Sequence, residues 1–497
     1  MAETRSTTTP PGLILLAVSL CTMLYALTTT IVNVVLPQLQ GALSATPEQV
    51  SWVVTLNVIA TAVFTPVTGW ITARWGHRAV ILWSIIGFSI SSLLCATADS
   101  LVALIIYRIG QGAFGAPLVP LSQAIIIAVY PPERRAFAQG VFGMAVVIGP
   151  AIAPAMGGYL AEVYNWRYVF ILILPICAAT LLASWLWIHD AGERSLARLD
   201  WTGFLMFSIA ITSAQLLMDR GERLDWWESS EVLAYIAIIG ASLWILIIHT
   251  MTATQPFFNP RLFLDRNFSI GVLLVFIYGM LNITPTVMIP TMLQNLMGYP
   301  DSMIGILLAM RGAGMILGFF TVARMGNLDP RIGMIIGIVA IGMSGWNMAQ
   351  FNLETAPLAV ALNGVMQGYG SAIMWVPLSL VAFATLNARL LPDAAAIFHL
   401  LRNFGTSIFV SASVLVVSRT GRIGYAEMGE FITPFSDVLR FPNLMGSWDA
   451  ESVKGLSALS SEINRQALMV GYTNSFVLYA VVSFAAIPLI LMVKIKP

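Results

Sequence analysis

Four ionisable side chains lie inside apolar stretches of this 497-residue chain: Arg108, Arg311, Arg402 and, nearer the end of its stretch, His399. The segment from Leu101 to Ser122 reads as a membrane-spanning helix, with Arg108 about two turns in from its start. A charge at such depth costs roughly 3 kcal/mol or more, which marks Arg108 as a candidate functional residue. Asp and Glu keep away from the middle of every apolar stretch: Glu162, Asp219, Glu222, Asp301, Glu354 and Asp393 stand at ends or in loops. The embedded charge is therefore purely basic, and each guanidinium needs carbonyls, water or an anionic ligand.

The elements that must hold these residues follow from composition. The chain is 58% hydrophobic and 10% charged, with a mean hydropathy of +0.83, far from the quarter charged that is usual for soluble domains. Apolar runs long enough to cross a bilayer recur along nearly the whole length, so the chain reads as an all-α polytopic membrane protein. Spans are expected near Gly12–Leu36, Val50–Thr72, Ala79–Thr97, Leu101–Val129, Ala136–Leu160, Tyr168–Ile188 and Thr202–Met218. Seven more are expected near Val232–Met251, Phe268–Leu293, Ser302–Val322, Ile332–Ala349, Pro357–Leu386, Ala395–Ser418 and Thr473–Val493. One set of loops holds Arg74, Arg78, Arg134, Arg135, Arg194, Arg198, Arg261, Arg266, Arg324, Arg331 and Arg389, with Arg5, Lys494 and Lys496 at the termini. The short loops opposite hold only Arg167, Arg220 and Arg223. The positive-inside rule then puts both termini, residues 1–11 and 494–497, in the cytoplasm. A net charge of +1 without a basic block offers nothing to nucleic acid. Cys21, Cys95 and Cys177 all fall in apolar runs and read as packing residues, with neither a disulfide framework nor a metal site.

An internal repeat organises the spans. The fourth contains Gln111-Gly112 and then Pro120-Leu121-Ser122, and the twelfth contains Gln367-Gly368 and then Pro377-Leu378-Ser379. Arg74 and Arg78 follow the second span as Arg324 and Arg331 follow the tenth. An offset of eight spans fits two six-span halves, 12–188 and 268–493, with two helices inserted between them in 189–267. Parallel halves around a central cavity are a transporter architecture. Gly364 stands where Arg108 would recur, so the repeat singles out Arg108.

Depth suggests one cluster. Arg108, Thr28 and Arg311 are expected at similar distances from the external face, with Thr29, Thr30 and Asn33 adding groups that bond across helices. Such a cavity suits an amphipathic anion or a neutral aromatic compound. Gly140, Gly143, Gly149, Pro150, Pro154, Gly157 and Gly158 make the fifth span a close-packed interface, either sliding or static. The long external segment, 419–472, reads as a polar loop, either a docking surface or a disordered connector. A membrane-embedded enzyme would need His, Asp or Cys gathered at one depth, and no such set is found.

These motifs together resemble the EmrB/QacA-type fourteen-helix drug:proton antiporters of the major facilitator superfamily. Gly69-Trp70-Ile71-Thr72-Ala73-Arg74-Trp75-Gly76-His77-Arg78 looks like the family's loop after helix two, with Ala73 where many members have Asp. Arg108 with Gln111-Gly112 matches the helix-four motif, whose arginine is implicated in proton coupling. Pro150, Pro154, Gly157 and Gly158 match the antiporter motif of helix five. Tyr130-Pro131-Pro132-Glu133-Arg134-Arg135 and the run from Met218 to Trp226 look specifically EmrB-like. The helix-one motif departs from the pattern, since Thr28 stands where the family places a carboxylate thought to exchange protons.

The resemblance implies a major facilitator fold and an inner-membrane exporter of amphipathic small molecules, among them drugs, organic anions and weak acids. It implies no cofactor beyond a proton gradient. Threonine cannot titrate near neutral pH, so coupling falls to another group such as Asp219, Asp393 or His399, or is lacking. Gln111, Gln367, His399 and Arg402 join Arg108, Thr28, Asn33 and Arg311 as candidate substrate or coupling residues, while Gly69, Arg74, Gly76, Arg78 and the fifth-span glycines and prolines serve conformational change. The implied partners are an EmrA-like periplasmic adaptor, docking on 419–472, and a TolC-like outer-membrane channel.

Overall fold

The computed structural model describes residues 9–189, 199–254, 256–257, 260–324, 329–387, 390–432 and 452–494, with the side chains of a few further positions, Pro154 among them, left out. Arg5, Arg194, Arg198, Arg389 and Lys496, invoked above for orientation, lie outside the described residues, as do 433–451 of the long external segment.

The described residues form helices joined by short turns. The first half comprises α1 (Pro11–Val34), α2 (Pro47–Phe64), α3 (Val67–Trp75), α4 (His77–Ala96), α5 (Leu101–Gly115), α6 (Leu118–Val129), α7 (Pro132–Val163) and α8 (Arg167–Trp187). The inserted pair is α9 (Trp201–Arg220) and α10 (Ser230–Thr252). The second half comprises α11 (Arg266–Asn295), α12 (Asp301–Arg324), α13 (Pro330–Met348), α14 (Pro357–Phe383), α15 (Leu391–Glu430) and α16 (Val453–Ala485). Twelve candidate spans meet length and hydropathy requirements among the described residues, and thirteen if α2 and α3, bent by 55°, make one. The 32 residues of α7 also exceed the bilayer core, at about 48 Å.

Local sequence explains the breaks. Thr46 and Gln49 form a reciprocal capping box that starts α2, with Pro47 in its first turn. Pro66 and Pro117 remove backbone donors and separate α2 from α3 and α5 from α6. Gly76 holds φ at +88° between α3 and α4, in the region that penalises any other residue. The segment expected as a polar loop from Arg419 to Tyr472 is helical at both ends. α15 runs on to Glu430 and α16 begins at Val453, so these helices project beyond the bilayer core.

Each half has its own apolar core. In the first, α7 packs along α1 and α5 along α2. In the second, α12 and α13 pack on α14, and α11 and α16 on α15. The halves touch through α7 with α12, and through α6 and α3 with α15. The inserted α9 lies in one seam, against both α2 and α15. There Phe207 and Ile211 share a small core with Ala62 of α2 and Leu400 of α15. At the opposite end of α9, Thr55 donates to Asp219 at 2.6 Å and Ser411 to the Met218 carbonyl at 2.9 Å. α10 buries only Val232, Ser242 and Leu246 and otherwise faces outward.

Asp200 anchors this pair. It caps α9 through Gly203 N–H (3.0 Å) and accepts from His249 of α10 (2.8 Å) and Phe257 N–H (2.9 Å). Burial pushes its carboxyl up, but these hydrogen bonds outweigh that and hold it below the usual carboxylate range.

Candidate functional site

Arg108 is 1% exposed and hydrogen-bonded within its own half. Its Nη1 donates to Gln111 Oε1 one turn on, and its Nε to the Val53 carbonyl of α2 at 3.3 Å. Gln111 passes the chain on to Ser92 of α4 at 2.6 Å, and Asn57 of α2 donates to the Arg108 carbonyl at 2.8 Å. Thr28 is buried, and its hydroxyl donates to Leu24 O at 2.7 Å on its own helix. No hydrogen bond joins Thr28 to Arg108 among the described residues, and Asn33 is exposed. The single external-side cluster of Thr28, Asn33, Arg108 and Arg311 is therefore not how these side chains are bonded.

The second half contains the surprise. Arg311 on α12 donates to Gln367 Oε1 of α14 and to the carbonyl and Oδ1 of Asn282 on α11, the last two at 2.6 and 2.7 Å. Gln367 continues to Tyr479 OH at 3.2 Å. A Cβ at Gly112 would strike Asn57 O, and one at Gly368 would strike Arg311 O. Asn57 and Arg311 thus occupy equivalent places, each against the glycine of its Gln-Gly pair. The arginine that the repeat lacks at Gly364 is supplied from the facing helix, so the apparent isolation of Arg108 is corrected. Beside Gly364 and Arg311 lies a cavity of about 20 Å³.

Two further groups lie on α15, the helix that α6 and α3 of the first half pack against. Arg402 of α15 is half-buried, with its guanidinium 5.5 Å from the Trp375 ring centroid. Its side-chain hydrogen-bond partner among the described residues is its neighbour Asn403, at 3.1 and 3.3 Å. His399 of α15 is 2% exposed and bridges to Gln123 of α6 at 2.6 Å.

The conformational candidates divide in the same way. A Cβ at Gly149 would come within 2.9 Å of Met23 O and Leu27 N of α1, and one at Gly157 would strike Ile31, so these two serve packing within one half. Gly143, by contrast, faces Phe319 of α12 across the seam. Pro150 and Gly158 lie partly exposed on the same helix. Gly69 of α3 takes the Asp393 carboxylate of α15 against its Cα. Arg74 lies over Trp70 at 5.8 Å, and Arg78 donates to Trp185 O at 2.9 Å, both within the first half.

A profile of the Major Facilitator Superfamily matches residues 18–410. The chain belongs to that superfamily. Multidrug export protein EmrB of Haemophilus influenzae is 30% identical over 473 residues, which is 94% of this chain and 92% of that protein. EmrB of Escherichia coli K12 is 28% identical over 93% of this chain and 91% of its own length. Fatty acid resistance protein FarB of Neisseria gonorrhoeae is 27% identical over 96% and 95%. The human organic anion transporter MFSD10 has the same fold, with a TM-score of 0.62 at 14% identity over 95% of this chain and 99% of its own. The superfamily and these relatives make the chain an EmrB-type multi-pass efflux transporter for small molecules. Sequence reasoning missed Asn57, Gln123, Asn282 and Trp375. Asn57, Gln123 and Asn282, as amides inside apolar runs, carried a signal that could have exposed them.

Proposed function

We propose that the chain exports amphipathic small molecules, organic anions and weak acids among them, from the inner membrane by alternating access between its two halves. The observation that carries this reading is Arg402. Arg108 and Arg311 are tied up within their halves, whereas Arg402, on the helix that α6 and α3 of the first half pack against, has one adjacent amide and the Trp375 ring beside it. A carboxylate or phenolate head would meet the guanidinium while an apolar body lies against the Trp375 ring. The names of the EmrB and FarB relatives accord with such cargo.

Transport is driven by proton antiport through a group other than residue 28, with both termini cytoplasmic. The projecting ends of α15 and α16 support docking of an EmrA-like adaptor that leads to a TolC-like channel. A facilitator or a substrate-specific exporter without proton coupling is the second reading, favoured by the non-titrating Thr28 hydroxyl held on Leu24 O. Substrate-induced proton flux in proteoliposomes decides between the two: coupled flux supports antiport, and transport with no flux supports the second reading. Accumulation in inside-out vesicles that survives collapse of the gradient would rule out proton-driven export.

A further inference from the structure

We propose that the hydrogen bond between His399 and Gln123 is a proton-sensitive latch holding the two halves together on the side of the termini. The proposal rests on the alternating-access reading, because a latch has meaning only if the seam opens.

The pair bridges α15 of the second half and α6 of the first, 276 residues apart in sequence. Gln123 Oε1 can only accept, so His399 Nε2 carries the proton and Nδ1 is left bare. His399 Nδ1 and Gln123 Nε2 are both buried without a hydrogen-bond partner among the described residues. The rings of Trp375 and Phe398 pack around the imidazole, each with its centroid 5.9 Å away. A second proton would create an N–H at Nδ1 where no acceptor faces it. Turning the Gln123 amide round gives no relief, since its NH₂ would then face the imidazolium Nε2–H. The closed seam thus suits the neutral ring, whereas an open seam would give both nitrogens water.

The charges near this ring do not reverse that preference. On α15 itself, Arg402 is one turn on and repels an imidazolium, and Asp393 is six residues back, docked on Gly69 of α3. α6 and α14 contain no charged residue. Among the other elements packed on α15, α11 offers Tyr278 and, at its start, Arg266 bonded to Met492 O. α3 ends in Arg74 over Trp70. The charges of α9 and α16, Asp219, Arg220, Lys454, Glu462 and Arg465, lie at the ends away from the termini.

The rest of the contact is poised as well. Thr68 and Thr72 of α3, which packs on α15, have buried hydroxyls with no partner among the described residues. Each such group disfavours the closed state and gains water on opening. A proton on His399 then tips the balance toward opening as pH falls through the range of a hydrated imidazole, near 6.5.

The test is a spin-label distance measurement in proteoliposomes between Ala73→Cys on α3 and Ala384→Cys at the end of α14. Both positions are exposed, whereas the native cysteines are buried. The open population should rise several-fold from pH 8 to pH 5 in the otherwise native protein. His399→Gln should flatten that response. Gln123→Glu should reverse it, because a glutamate paired with imidazolium closes the seam in acid. The proposal is overturned if the native protein shows one distance at every pH, if His399→Gln keeps the native response, or if Gln123→Glu leaves its direction unchanged. Substrate counterflow in the same liposomes reports separately on alternating access, so a failed latch and a failed transporter reading remain distinguishable.

Discussion

The two halves place an arginine beside the glutamine of a Gln-Gly pair, yet they bring it from opposite helices. In the first half Arg108 comes from the same helix as Gln111, and the facing helix contributes Asn57 and the Val53 carbonyl. In the second, Arg311 comes from the facing helix, Gly364 leaves its position empty, and Asn282 of α11 accepts from the Arg311 Nη2. The contact is retained while its donor changes sides. This argues that the guanidinium–amide lock stiffens each half, and that a transported anion meets the third arginine, Arg402, at the seam.

Several substitutions would break or sharpen this comparison. Arg108→Ala should have the largest effect: transport at background, and a loss of about 1–3 kcal/mol for each of Gln111 Oε1 and Val53 O left without a buried partner. Arg311→Ala should cost less, since Arg311 is only half-buried. Thermal unfolding in detergent by intrinsic fluorescence ranks the two, and equal shifts would argue against unequal locks. An exchange is sharper: Arg311→Asn should destabilise, and adding Gly364→Arg should recover at least half of the loss by putting the arginine where the first half carries it. A double variant weaker than the single one would break the equivalence. Gly368→Ala, which drives a methyl into Arg311 O, should cost well over 1 kcal/mol, whereas Gly364→Ala meets only ordinary contacts of 3.6 Å or more and should stay within about 1 kcal/mol. The smallest effect is expected at Asp200. Its folded-state carboxyl lies below the unfolded value near 3.8, so its contribution is full above that value and lost as pH falls through the folded one. Asp200→Asn should lower Tm by about 2–4 °C at pH 7, and the difference should shrink as pH falls below the unfolded value.

Much of this was legible in the sequence where hydropathy or a repeat carried it. The apolar runs marked the spans, and the matching Gln-Gly pairs located the two equivalent contacts. What the chain could not reveal was which helix face meets which. Arg311 and Gln367 are 56 residues apart, and His399 and Gln123 are 276, and no local periodicity encodes either contact. The polar ends of α15 and α16 read as a loop because hydropathy reports burial in lipid rather than helicity. Arg108 looked unique because a repeat compares positions in the chain, whereas the lock depends on what fills a place between helices.

The most direct test of the division between lock and seam is export, by proteoliposomes containing Arg402→Gln, of a carboxylate and of its methyl ester. The account predicts that the variant loses the carboxylate at least ten-fold while the ester moves at near the native rate. Equal transport of both compounds, as fast as in the native protein, would contradict it.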